Sequence, residues 1–208
     1  MNYAELSAAV ASTTVNEFAA EDMARFAHLA EQKVYNAVQF PALRKNVTGN
    51  LTPAGPYLTL PPDFLYPYSL AVVLPSGEYQ FLVDKDVNYI RQAYPGPAST
   101  GVPKCYAVFD QNTLIVGPTP GTNYAVELHY GYYPESIVAA GNTWLGDNFD
   151  SALLNGMLVE AARFMKEEAD VIGMYVKLFD ESLMQLKQLG QGRLMTDTYR
   201  TPRTRVPV

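Results

Sequence analysis

The placement of proline and tyrosine constrains this chain more than any other feature. Residues 53–134 hold 11 of the 15 Tyr and 12 of the 15 Pro, and the segments on either side are spaced for helices. Proline lacks the amide a helix interior requires and pushes the residue before it out of helical backbone, so 53–134 reads chiefly as short strands and turns. The sequence therefore predicts an α+β protein. An antiparallel helical bundle forms from the N- and C-terminal segments, with an inserted Tyr/Pro-rich antiparallel β domain and an extended C-terminal tail. The expected divisions are 1–43 for the first helices, 44–135 for the β domain, 136–190 for the closing helices and 191–208 for the tail.

Apolar spacing locates the helices. Tyr3, Leu6, Ala9 and Val10 mark a short helix over 3–12. Met23, Phe26, Ala27, Ala30, Val34, Ala37 and Val38 form one stripe of a helix from Ala20 to Val38, which Pro41 ends. Between them, Glu21, Asp22, Arg25, Glu31 and Lys33 read as a solvated face. Near the other end, Asp147 or Asn148 is expected to cap a helix reaching about Ala169, with Leu153, Met157, Ala161, Phe164 and Met165 inward. Gly156 fits there if a neighbour packs close. A last helix, capped by Asp170, would bury Ile172, Tyr175, Phe179, Leu183 and Leu186 and stop at Gly190.

The strands follow from alternation and turn chemistry. Arg44–Thr52 and Tyr57–Leu60 read as a hairpin around Thr-Pro-Ala-Gly-Pro, and Ser69–Leu74 and Tyr79–Val83 as a second around Pro75-Ser-Gly-Glu78. Asp86–Ala93 suggests a helical turn or two. Lys104–Asp110 and Thr113–Val116 pair across Gln111-Asn112. In the longest strand, Tyr124–Tyr133, the residues Tyr124, Val126, Leu128 and Tyr130 alternate with Ala125, Glu127 and His129, as in a half-buried strand.

Composition narrows the functional classes. At 208 residues and 48% hydrophobic the chain can bury a substantial core. A net charge of −6 argues against a main surface that grips nucleic acid. Stacking of bases on the tyrosines would also need a basic groove, yet Lys85, Arg91 and Lys104 are outnumbered by acids in that region. The single cysteine, Cys105, reads as a core residue. No leader pattern or apolar run of membrane-spanning length is present, which predicts a soluble, unexported chain in which Asn46-Val-Thr and Asn50-Leu-Thr go unglycosylated.

Motifs for chemistry are sparse. His28 and His129 have no partner at metal-ligand spacing. Asp84-Lys-Asp86-Val-Asn88 opens like a calcium loop, but Tyr89 stands where glycine is required. Gly190-Gln-Gly192 is too short to cradle phosphate. Glu21–Asp22 and Glu167, Glu168 and Asp170 read as solvated acids. No catalytic, cofactor-binding or metal residue is assigned, and no cofactor is expected.

The C-terminal segment differs in charge. Arg193, Arg200, Arg203 and Arg205 face only Asp197 there, while residues 1–189 carry 11 basic and 20 acidic residues. It reads as a helix-free tail that becomes ordered on a partner. Its arginines would fork onto carboxylates, with Leu194, Tyr199 and Val206 as apolar anchors.

The order of strings along the chain resembles a known family. Phe40-Pro-Ala-Leu, Val47-Thr-Gly-Asn-Leu-Thr and Tyr57-Leu-Thr-Leu-Pro-Pro-Asp-Phe-Leu are followed by Gly101-Val-Pro-Lys-Cys-Tyr, Leu114-Ile-Val-Gly-Pro-Thr-Pro, Glu127-Leu-His-Tyr-Gly-Tyr-Tyr-Pro and the Leu153–Phe164 helix. Over essentially the whole chain this is similar to the head-to-tail adaptors, or connectors, of tailed phages, short-tailed type, and to the tail tubular protein A group. The resemblance implies a virion structural protein at the head-tail junction, made in the host cytoplasm, with no enzymatic activity and no membrane contact. It implies a ring, commonly a dodecamer, between the portal and the tail nozzle, near tail fibres, with genomic DNA passing transiently through its channel. It carries portal docking to the tail, and hence to Arg193, Leu194, Tyr199, Arg200, Arg203, Arg205 and Val206. Glu160, Glu167 and Glu168 are expected to face the channel. The competing readings are a nucleic-acid-binding module acting through the Arg-rich tail and a small tail-associated hydrolase, for which Asp84 or His129 would be the residues to test.

Overall fold

The computed structural model describes residues 1–39, 41–96 and 98–200, with side chains as far as Leu189. Its seven described α-helices are α1 (Tyr3–Thr14), α2 (Ala20–Ala37), α3 (Val87–Ala93), α4 (Ile137–Ala140), α5 (Trp144–Asn148), α6 (Asp150–Met165) and α7 (Ala169–Arg200). The strands are β1 (Arg44–Leu51), β2 (Tyr57–Thr59), β3 (Tyr66–Val73), β4 (Tyr79–Phe81), β5 (Val83–Asp84), β6 (Thr100–Gly101), β7 (Cys105–Asp110), β8 (Thr113–Gly117), β9 (Thr119–Pro120) and β10 (Tyr124–Gly131). The protein is thus mixed α+β. It divides into two compact units, one made of Met1–Leu43 with Pro134–Val208 and the other of Arg44–Tyr133.

In the helical unit, α6 packs against α1, α2, α5 and α7. The stripe residues Met23, Phe26, Ala27, Ala30 and Val34 of α2 are buried with Leu153, Met157 and Ala161 of α6 and Phe179 and Leu186 of α7. At the centre, Gly156 permits the closest approach. A Cβ there would lie 2.8 Å from the Ala30 Cβ and 3.0 Å from the Phe179 ring. A glycine that costs about 1 kcal/mol in an exposed helix is here the condition for three helices to meet. At the start of α1, Asn2 and Glu5 form a reciprocal capping box, satisfying amides the first turn leaves open.

Several boundaries differ from expectation. The helix expected from Asp147 or Asn148 to Ala169 is two helices, α5 and α6, and neither residue caps α6. Its N-cap is Phe149, without a side-chain bond. Asn148 instead donates to the Trp144 carbonyl, closing the preceding helix. Asp170 lies inside the first turn of α7, where its charge suits the helix dipole. Phe164 is 48% exposed because it sits at the end of α6, where it completes an edge-to-face trio with Phe18 and Phe26 rather than entering the core. The largest correction concerns the tail. α7 continues through Gly190 and Gly192 to Arg200, so 191–200 is helical and not extended. Gln, Arg, Leu and Met around those glycines are good helix formers, and Pro202 follows two residues after the last helical one.

Glu31 also departs from the solvated face assigned to it. It is 3% exposed, and its carboxylate accepts the Ile137 amide at 2.8 Å, capping α4 from a different helix. Burial pushes its pKa up, opposed by hydrogen bonds from Ser136 and Ile137 and by the nearby His28.

The β unit consists of two four-stranded sheets and a two-stranded ribbon. The first sheet has the order β1-β10-β3-β4 and is antiparallel throughout, and the second has the order β2-β8-β7-β5. Leu51, Leu70, Val126, Leu128 and Tyr130 of the first share one core with Leu58, Tyr106, Leu114 and Val116 of the second. The pairs β3/β4 and β7/β8 are hairpins at the expected turns. The expected β1/β2 hairpin is absent. β1 pairs with β10 and β2 with β8, so the Pro53–Pro56 segment crosses between sheets. With prolines at both ends this segment is short of donors for a two-strand ladder. Ala54, at φ 61°, hands its amide to the Pro120 carbonyl. Two brief pairings, β5/β7 and β6/β9, are parallel, which qualifies the antiparallel expectation.

Replacing Gly156 with Leu overpacks the α2–α6–α7 contact and should lower unfolding free energy by about 2 kcal/mol or more, measured by denaturant titration. Glu31→Ala, which orphans the Ile137 amide, should cost about 1–3 kcal/mol. Because the folded pKa of Glu31 is raised, its favourable contribution is complete below its unfolded value near 4.5 and is lost as pH rises through the folded value. Relative to Glu31→Gln, the wild-type chain should therefore gain stability as pH falls through that window.

Candidate functional site

The residues considered for chemistry have structural work. The Cys105 thiol is buried and donates to the Gly117 carbonyl at 3.3 Å, and burial raises its pKa. Asp86 caps α3 by accepting the Asn88 amide. His129 stacks on Tyr68 with ring centres 5.3 Å apart, and His28 lies 4.0 Å from Glu31. Asp84 belongs to β5 and is exposed. Among the described residues, no three His, Cys, Asp or Glu side chains gather as a metal site. Likewise, no described helix is long and apolar enough to cross a membrane.

The acids assigned to a channel separate into two kinds. Glu160 is held by Lys33 of α2 and Arg163 of α6, and its side chain is only 11% exposed. It ties two helices together. Glu167 and Glu168 lie exposed in the turn between α6 and α7, just after Lys166 adopts left-handed backbone at φ 57°. Of the tail residues, Arg193, Leu194, Tyr199 and Arg200 lie on the α7 backbone. Arg203, Arg205 and Val206 fall outside the described residues.

What the structure brings together instead is apolar surface. A groove lined by Leu29, Gln32, Lys33 and Ala37 of α2 and by Phe179 and Leu183 of α7 has a volume of about 530 Å³. A separate groove of about 470 Å³ runs between α1 and the start of α2, past Tyr3, Ala11, Phe18 and Met23. Met174, Leu178, Met184 and Leu189 of α7 are exposed as well. Helical spacing did not single out these α7 residues, whose signal is an excess of large apolar residues beyond what one core stripe can bury. The β unit exposes Tyr79, Phe81 and Val83 in alternation, Phe81 to 65%. Such surface on an acidic chain marks contact with other proteins.

The SU10 adaptor protein family matches residues 1–206. The chain belongs to this family, and is accordingly a phage structural adaptor, a virion component that contacts other virion proteins. No curated protein matches it.

If Cys105 serves the core alone, its reaction with a thiol reagent in the native chain should be orders of magnitude slower than in the denatured chain. Native absorbance assays with Ellman's reagent test this directly.

Proposed function

We propose that this chain is a noncatalytic head-to-tail connector, assembling as a ring of about twelve copies between the portal and the tail nozzle. The observation that carries this reading is the adaptor-family match along nearly the whole chain. In this reading the helices form an antiparallel bundle that builds the ring, and the β unit reaches nozzle or fibre proteins. The C-terminal segment docks on the portal through its arginines and apolar anchors.

Physical features support the assignment. A closed ring needs two unlike patches on each subunit, and the α2/α7 and α1/α2 grooves are two separate apolar surfaces of one unit. An acidic subunit also suits a DNA channel, because a wall rich in Lys and Arg would hold phosphate and retard passage. Glu167 and Glu168 are the exposed acids proposed for that wall, whereas Glu160 is occupied by its ion pairs.

Truncation after residue 190 keeps every core residue among the described side chains, of which Leu186 is the last. Electron cryo-microscopy of the full and truncated chains mixed with the portal of the same phage tests the proposal. Full-length chain should form rings under the portal, and truncated chain should remain unbound with an unchanged thermal midpoint. Failure of the full chain to bind a competent portal would overturn the connector reading. Ring formation by the truncated chain would overturn only the role of the tail.

A further inference from the structure

At one end of the first sheet, three separate devices converge on a single cation. The register between β10 and β3 shifts after His129, with His129 opposite Ser69 and Tyr130 opposite Pro67, so Tyr68 is an extra residue in a β-bulge. Bulges re-aim side chains, and this one brings Tyr68 over to His129, ring centres 5.3 Å apart. Gly131 lies opposite both Arg44 and Tyr66. A Cβ at Gly131 would lie 2.5 Å from the Tyr66 ring, so only glycine leaves room for that ring to lie across the strand. The Tyr66 and Tyr68 hydroxyls are 3.2 Å apart, and burial together with this bond pushes the Tyr66 pKa up to about 12, keeping the phenol protonated. On this shelf sits Arg44, its guanidinium 4.3 Å from the centre of the Tyr68 ring.

Among the described residues, Arg44 differs from the neighbouring cation Lys45 in having no ionic partner. The adjacent Lys45 is paired with Asp63 at 2.8 Å, and Asp63 also accepts from Tyr130. Glu127, the acid on the same face, accepts from the Asn46 side-chain amide. Among the described residues Arg44 has no ion pair, and its Nε is buried without a hydrogen-bond partner. The terminal guanidinium nitrogens are therefore the end left to meet a ligand, beside two phenols and an imidazole.

We infer that Arg44, Tyr66, Tyr68 and His129 form a carboxylate-binding site that receives an acidic peptide segment of a protein partner. A lone, aromatic-braced guanidinium matches one carboxylate in forked geometry, and Arg and Tyr are the residues that anchor protein interfaces. A nucleic-acid strand fits less well, because a run of phosphates needs several unpaired cations and the site offers one. The inference is independent of the connector reading.

The test is NMR titration of the full chain with the peptide acetyl-Gly-Glu-Glu-Tyr-Gly-amide, with its Gln-for-Glu counterpart as control. The chain has only two histidines, so His129 reports the site and His28 serves as internal reference. The Glu peptide should move the His129 resonances and leave His28 in place, and the Gln peptide should move neither. Arg44→Gln should weaken binding about tenfold or more, and Lys45→Gln should leave it unchanged. Arg44→Lys, which keeps a cation over the ring and so guards against misfolding, should weaken it several-fold. No selective response of His129, equal losses for Arg44→Gln and Lys45→Gln, or tighter binding of oligothymidylate at His129 would each overturn the proposal.

Discussion

The helical unit depends on the contact among Ala30, Gly156 and Phe179. Two chain segments far apart in sequence must find each other, and small residues at the crossing let α2, α6 and α7 close to side-chain contact. The buried stripes of all three helices are set in register by that approach. The Glu31 cap on α4 and the Lys33–Glu160 pair follow from it, because both reach from α2 to residues after the β unit.

Much of the fold was legible wherever one local rule dominated. Helical spacing located α1 and α2, and turn residues located the hairpins β3/β4 and β7/β8. Alternation gave the inner face of β10. Partner choice was less legible. Arg44–Leu51 carries the alternation of a strand but nothing in its sequence says that β10, not β2, receives it. Glu31 shows the same limit from another direction, since a charged residue between exposed neighbours reads as solvated until a distant amide is placed against it. Gly190 misled because a glycine stops a helix only when the backbone turns left-handed there, and good helix formers on both sides carried α7 onward.

The candidate surfaces were legible only in part. The acids at 167 and 168 and the arginines of the C-terminal segment are visible as charge, while the two apolar grooves exist only once separate helices are packed. The shelf around Arg44 was hidden more completely. It depends on a bulge, a glycine opposite a tyrosine, and the pairing of Asp63 with Lys45 in place of Arg44, and none of these has a sequence signature at short range.

The pairing of Arg44 with Gly131 has a consequence for the architecture as a whole. The chain enters the β unit on one strand and leaves it from the strand beside it, so Arg44 and Gly131, near its two ends, are about one strand spacing, ~5 Å, apart. Loop-closure cost grows only slowly with chain length, and an insertion whose two ends are neighbours adds little to the entropy of joining the segments before and after it. The insertion is in that sense a replaceable cartridge. It can lengthen, shrink or exchange its outer loops without altering the mechanical demands on the helical unit, provided the first and last strands remain neighbours.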